Sequence, residues 1–270
     1  IIGTLQATLT DFRYLRNSWK RNTEEEALLG VSLTGIMDHH ILAGGEPSEL
    51  PTWLEEMRDV SIATNKEWAS KLGVNQSAAI TCVKPSGTVS QLVDSASGIH
   101  PRFSSFYIRR VRSDAKDPLA LFMSNSGFPV EQDVMSPSSL VFSFPVKAPH
   151  DSVTVEKVGA MQQLELWKAY QNHWCEHKPS ITVYYNDNEF LQVAQWIWEN
   201  FEICSGISLL PYSDHVYQQA PYEEIDSADY EKMLEDMPKD VDWTDLEGFE
   251  TEDNTIGSQE LACVGGACEL

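Results

Sequence analysis

The chain has 270 residues, 42% of them hydrophobic and 10% aromatic, and a formal net charge of −22. That length suits one large domain or two small ones, and no apolar run approaches the roughly 20 residues of a membrane-spanning helix. The charge argues against nucleic acid as a partner, since phosphate backbones are bound by Lys and Arg. No signal-peptide pattern opens the chain. Cys82, Cys175 and Cys204 are scattered rather than paired, so a reducing cytoplasm is the expected home.

The first residues, Ile1-Ile2-Gly3-Thr4, run straight into a helical pattern. This is the start expected of an interior piece of a longer protein, or of one product of a split gene. Residues 5–20 predict an amphipathic helix, with Arg13, Arg16 and Lys20 toward the end that the helix dipole favours. Leu28–Met37 is apolar and interrupted by Gly30 and Gly35, as in a buried strand or a tight turn into a helix. Pro51–Leu72 is helical, with Trp53, Leu54, Met57, Val60, Ile62, Trp68 and Leu72 broadly on one side. Ala79–Val83 is a short β-branched run, and the turn Lys84–Ser90 follows it at once.

Leu140–Pro145 predicts a strand that Pro145 ends. Thr154–His173 predicts a helix, Ser180–Tyr185 a strand, and Glu189–Phe201 a helix capped by Asn186 or Asp187. Ile207–Pro211 is a further strand. Strand–helix–strand at this spacing is a βαβ unit, so the body is expected to be α/β with parallel pairing. From Glu223 to Glu260 there are 15 acidic residues against two lysines, more than half of the net charge. This composition predicts a short helix and then a mobile arm.

The arm leads to Cys263-Val264-Gly265-Gly266-Ala267-Cys268. Two glycines between the cysteines let the chain fold back so that the sulfurs meet. A dithiol near a chain end has no packed body to staple and suits thiol–disulfide exchange. The competing readings are half of a zinc site, which wants about four ligands, or an unpaired accident.

Lys84-Pro85-Ser86-Gly87-Thr88-Val89-Ser90 sits where a strand hands over to a helix. Small and hydroxyl-bearing residues there leave backbone N–H groups open to an anion. The order of Lys and Gly is not that of a Walker loop, and a plain junction with Ser86 or Thr88 as N-cap is the other reading. Arg109, Arg110 and Arg112 form a basic cluster downstream of Ser97-Gly98-Ile99-His100-Pro101. They either complement phosphate charge or line a solvated strand edge with local ion pairs. Asp38-His39-His40-Ile41-Leu42-Ala43 nearly matches a histidine motif for cobalamin ligation, but Ala43 stands where a glycine is required.

Four blocks together resemble adenosylcobalamin-dependent (class II) ribonucleotide reductase of the monomeric ribonucleoside-triphosphate reductase type. They are Leu29–Asp38, Val83–Ser90, Ser97–Pro101 with Tyr107–Arg112, and the Cys263/Cys268 pair. The resemblance implies the C-terminal half of a ten-stranded α/β barrel over residues 1–222, followed by a flexible acidic redox tail over 223–270. It implies substrate-phosphate binding by Pro85, Ser86, Gly87, Thr88, Val89 and Ser90. It also implies adenosylcobalamin as cofactor, a ribonucleoside triphosphate as substrate and a thioredoxin-like reductant.

In the implied mechanism a thiyl radical takes the ribose 3′-hydrogen, the 2′-hydroxyl leaves as water, and two thiols become a disulfide. Cys263 and Cys268 then exchange with that disulfide. The finger loop bearing the radical cysteine has no counterpart here, so an N-terminal part must be supplied and the chain alone should be inactive. Other readings are a non-catalytic nucleotide-phosphate-binding module and a dimeric, diphosphate-reducing enzyme. Tyr184-Tyr185 resembles the radical-transfer pair of a class I subunit, although strand tyrosines are commonly core residues.

Overall fold

The protein is seen in a computed structural model that describes residues 1–212 and 218–251 and, for the backbone alone, 263–264 and 267–268. In chain order its elements are α1 (Ile2–Gln6), α2 (Asn17–Glu26), β1 (Val31–Ser32), α3 (Leu50–Leu72), β2 (Thr81–Cys82), α4 (Val89–Leu92), β3 (Phe106–Asp114), α5 (Pro118–Asn125), β4 (Val130–Gln132) and β5 (Ser139–Lys147). They continue as α6 (Ala160–His173), β6 (Ser180–Tyr185), α7 (Phe190–Glu199), β7 (Gly206–Pro211), β8 (Tyr222–Glu224), α8 (Ser227–Asp236), α9 (Leu246–Phe249), β9 (Cys263–Val264) and β10 (Ala267–Cys268). They fall into two units, one of residues 1–102 and 151–212, the other of 103–150 and the described residues from 218 onward.

The first unit is α/β with parallel pairing. β6 and β7 run parallel in register from Ser180 opposite Gly206 to Tyr185 opposite Pro211, and α7 connects them. Asn186 closes a capping box with Glu189, whose carboxylate accepts the Asn186 N–H at 2.9 Å. On α7, Val193 and Trp196 lie three apart and turn into the core. β1 and β2 are likewise parallel, Val31 opposite Thr81, with α3 between them in sequence. The core gathers Leu54, Val83, Ile99, Leu164, Trp167, Tyr170, Val183 and Trp196. Its buried indoles are satisfied: Trp174 Nε1 donates to Cys82 O at 2.7 Å, Trp167 Nε1 to Pro179 O at 3.2 Å and Trp196 Nε1 to the Glu165 carboxylate at 2.6 Å.

The second unit is an antiparallel sheet in the order β4-β5-β3-β8, which the sequence reading did not foresee. β5 also runs through Pro145, which lies opposite Ile108, instead of ending there. Ser143 N–H points toward Pro129 O, so residue 145 faces the same side. β4 pairs only as far as Phe142 of β5, so the N–H that proline lacks would meet no strand.

Two predicted helices are shorter than expected. Residues 7–16 are not helical, and only α1 and α2 flank them. Thr8 Oγ1 donates back to Leu5 O at 2.7 Å, Thr10 Oγ1 bonds the Glu24 carboxylate at 2.9 Å, and Leu9, Tyr14 and Leu15 are exposed. Without a core to face, side-chain bonds to the backbone win over a marginal helix. α6 begins at Ala160 rather than Thr154 because 153–155 is already paired: Arg102 N–H donates to Val153 O, and Val155 N–H to Arg102 O, both at 2.9 Å. Along α3, Leu54 is buried while Trp53, Val60 and Ile62 of the predicted apolar side are exposed.

Candidate functional site

The first unit folds three of the singled-out segments onto one another. After β1, which is two exposed residues and not a buried strand, the backbone turns left-handed at Gly35 (φ +71°) and enters a 3-10 turn at Ile36–Asp38. Gly35 N–H donates to Ala96 O at 2.7 Å, and Gly98 N–H to Thr34 Oγ1 at 3.1 Å. Segment 33–38 is thereby held against 95–98. Gly98, at φ +54°, in turn abuts the turn after β2, where a Cβ would lie 2.6 Å from the Lys84 carbonyl oxygen. Only glycine fits that approach.

Within the turn, Ser86 N–H donates to Ser97 Oγ at 2.7 Å, and Ser90 N–H to Ser86 Oγ at 3.0 Å. The Ser90 hydroxyl returns to Ser86 O, and Ser90 O accepts the Ser95 N–H at 2.8 Å. The helix that follows, α4, has four residues, and Thr88 precedes it as N-cap without a side-chain cap bond. The turn's shape is therefore set by hydroxyls rather than by a long helix dipole. Pro85, Thr88 and Val89 are exposed, Ser86 and Gly87 are half-buried, and Ser90 is buried. Lys84 Nζ bonds Ser180 Oγ at 3.0 Å and Lys178 O at 3.1 Å, which ties the first residue of the turn to the start of β6. A partly exposed turn of small residues that opens on a lysine is suited to an anion.

The remaining candidates lie elsewhere. Arg110 pairs with Glu223 at 2.5 Å and donates to Ala220 O at 2.9 Å. Arg112 pairs with Asp133 at 3.3 Å and donates to Gln219 O at 2.7 Å. Both arginines serve the second unit internally through ion pairs, but they are largely buried on an interior strand, not on a solvated edge. Asp38 does not support a histidine: its carboxylate takes Arg102, the Ala96 N–H and the Ser152 hydroxyl. His39 packs on Trp53 with ring centroids 5.9 Å apart, and His40 approaches Glu46 at 3.5 Å. The pairing of Asp38 with His40 that such a motif needs is therefore absent. Tyr185 packs on Phe190 against the core.

Burial raises the Cys82 thiol above its usual range and pushes Cys175 up to about 12, with the neighbouring Cys82 adding to the second shift. Burial raises Cys204 as well. None of the three is a poised thiolate. The side chains of Cys263 and Cys268 lie outside the described residues. Their backbones pair antiparallel, with Cys263 directly opposite Cys268. Sequence reasoning named the turn and the blocks that contain Thr34, Ser97 and His100, but not the role of those three residues as its supports. The nearest signal was the proximity of Ser97 and His100 to the turn in sequence.

No family model matches the chain. It is 28% identical to the adenosylcobalamin-dependent ribonucleoside-triphosphate reductase of Lactobacillus helveticus over 96% of this chain and 38% of that protein. The reductase of the same name from Lactobacillus leichmannii is 29% identical over 90% of this chain and 36% of its own length. That of Euglena gracilis is 30% identical over 83% and 31%. The crystal structure of a B12-dependent (class II) ribonucleotide reductase superposes with a TM-score of 0.77 at 23% identity, over 93% of this chain and 39% of the other. The chain thus spans well under half the length of the proteins it resembles.

Proposed function

We propose that this chain acts as the C-terminal part of an adenosylcobalamin-dependent ribonucleoside-triphosphate reductase. In this reading Pro85–Ser90 holds the substrate's phosphates, and Cys263 with Cys268 returns reducing equivalents to the site. The observation that carries it is the convergence of residues 33–38, 84–90 and 95–98, three of the blocks behind the family resemblance, around one exposed turn. The likeness along most of the chain to reductases of that name supports it.

The part of those relatives that this chain does not span would house the cofactor's radical chemistry and complete the barrel. This chain's own residues bind and orient. Backbone amides of the turn and the Lys84 ammonium meet a polyphosphate, and the ribose is held by its phosphate end. Reduction of the ribose leaves a disulfide in the site. One tail thiolate attacks it to give a mixed disulfide, and the second tail thiol resolves that bond. The site dithiol is restored and Cys263–Cys268 is oxidised. A thioredoxin-like dithiol then reduces the tail. The register that sets Cys263 opposite Cys268 fits such a pair.

The test is reconstitution with the N-terminal part of a relative, adenosylcobalamin, a ribonucleoside triphosphate and thioredoxin. Deoxynucleotide formation only in the presence of both parts is expected. Turnover by these 270 residues alone would overturn the division of labour.

A further inference from the structure

Ser180 and Thr182 are two apart on β6 and present their N–H groups to the same edge. Ser180 N–H donates to Val83 O at 3.0 Å. Beyond Val83 the chain turns away at Pro85, and no strand residue answers the next donor. Thr182 N–H donates instead to His100 Nε2 at 2.9 Å. With Nε2 accepting, Nδ1 carries the proton, and it donates to Ser97 O at 3.0 Å. The same carbonyl takes the His100 N–H at 2.9 Å. His100 is 4% exposed, and burial lowers it to about 4, so the ring is neutral, with one donor and one acceptor, at neutral pH. Ser97 Oγ in turn accepts the Ser86 N–H at 2.7 Å, and Gly98 leaves no slack against Lys84 O.

We infer that His100 is a positioning residue for the turn at Pro85–Ser90, holding Ser97 from β6 so that Ser97 fixes the direction of the Ser86 amide. The inference rests on the reading of that turn as the phosphate site. Its physical basis is that α4, with four residues and no side-chain cap, cannot fix the turn by itself. The strut from the sheet does so instead.

The test uses the whole chain with inorganic triphosphate as probe, together with hydrogen exchange at the Ser86 amide. His100→Ala should weaken triphosphate binding about tenfold, the scale of one lost hydrogen bond, and speed Ser86 exchange by a similar factor relative to Tyr170 in α6. Ser97→Ala should do the same. The double variant should be no worse than either single one, because both act through one bond. His100→Gln, which keeps one donor and one acceptor, should recover most of the affinity. Leu164→Ala, a cavity in the same core, should loosen the fold without moving either readout beyond about twofold. Unchanged Ser86 exchange in His100→Ala, or additive losses in the double variant, would overturn the strut. If the unaltered chain binds no triphosphate while Ser86 exchange responds as expected, the strut stands and the phosphate reading falls.

Discussion

Arg102 grips Asp38 as a fork, Nε to Oδ1 at 3.1 Å and Nη2 to Oδ2 at 3.0 Å, with the arginine 3% exposed. The fork joins residue 38, at the end of the first block of the family resemblance, to residue 102, between the two halves of the third. Asp38 also accepts the Ala96 N–H at 2.6 Å and the Ser152 hydroxyl at 2.8 Å. A buried guanidinium is tolerable only while such partners remain.

Asp38→Ala should therefore cost about 3–5 kcal/mol, since it leaves Arg102 buried with a weaker partner. A weaker partner that remains is the Asp94 carboxylate, 3.2 Å from Arg102 Nη1 with a side chain 74% exposed. Asp94→Asn should cost under about 1 kcal/mol, as for a solvent-screened pair. Urea denaturation of both variants measures the difference. Equal losses would mean that burial does not rank the two carboxylates.

Crowding the turn should separate binding from folding. Gly87→Val is expected to weaken triphosphate binding by about 1–3 kcal/mol, the scale of one or two charge-assisted hydrogen bonds, with the fold intact. Gly98→Ala places a Cβ 2.6 Å from Lys84 O at φ +54°, so it should lower both stability and affinity. Calorimetric titration with triphosphate, alongside thermal melts, reads the two effects. Unchanged affinity in a folded Gly87→Val favours the plain strand–helix junction.

Acid should find His100. Its ring is held near 4 in the folded chain, against an ordinary 6.5. Between those values the unfolded chain binds a proton that the folded chain refuses, so stability rises with pH across the window. The contribution is fully present above about 6.5 and declines as pH falls toward 4, amounting to about 3 kcal/mol. His100→Gln should flatten this part of the stability–pH curve. A variant whose slope matches that of the unaltered chain would assign the acid sensitivity elsewhere.

The tail cysteines should behave as one unit in reconstituted enzyme. Cys263→Ser, Cys268→Ser and the double variant should each stop thioredoxin-driven multiple turnover while sparing the first turnover of pre-reduced enzyme. Dithiothreitol should bypass all three, since a small dithiol reaches the site without the tail. Truncation after Glu260 should leave the melting temperature nearly unchanged. Full thioredoxin-driven turnover by either serine variant removes the shuttle role.

What the sequence determined by itself is local. β6, α7 behind the turn that Asn186 caps, and β7 were legible because periodicity, cap chemistry and β-branched runs act within a few residues. The turn after β2 was legible from its small residues for the same reason. Tertiary structure decided what depends on a distant partner. Residues 7–16 lose a helix for want of a core, and residues 153–155 are held by Arg102 before α6 begins. Pro145 stays in its strand because no neighbour needs its missing N–H. Arg110 and Arg112 answer Glu223 and Asp133 rather than phosphate, and His100 reaches Thr182 across 82 residues. Composition and spacing carry no record of which distant group a buried donor or charge meets, because desolvation makes that pairing obligatory only once the chain has folded.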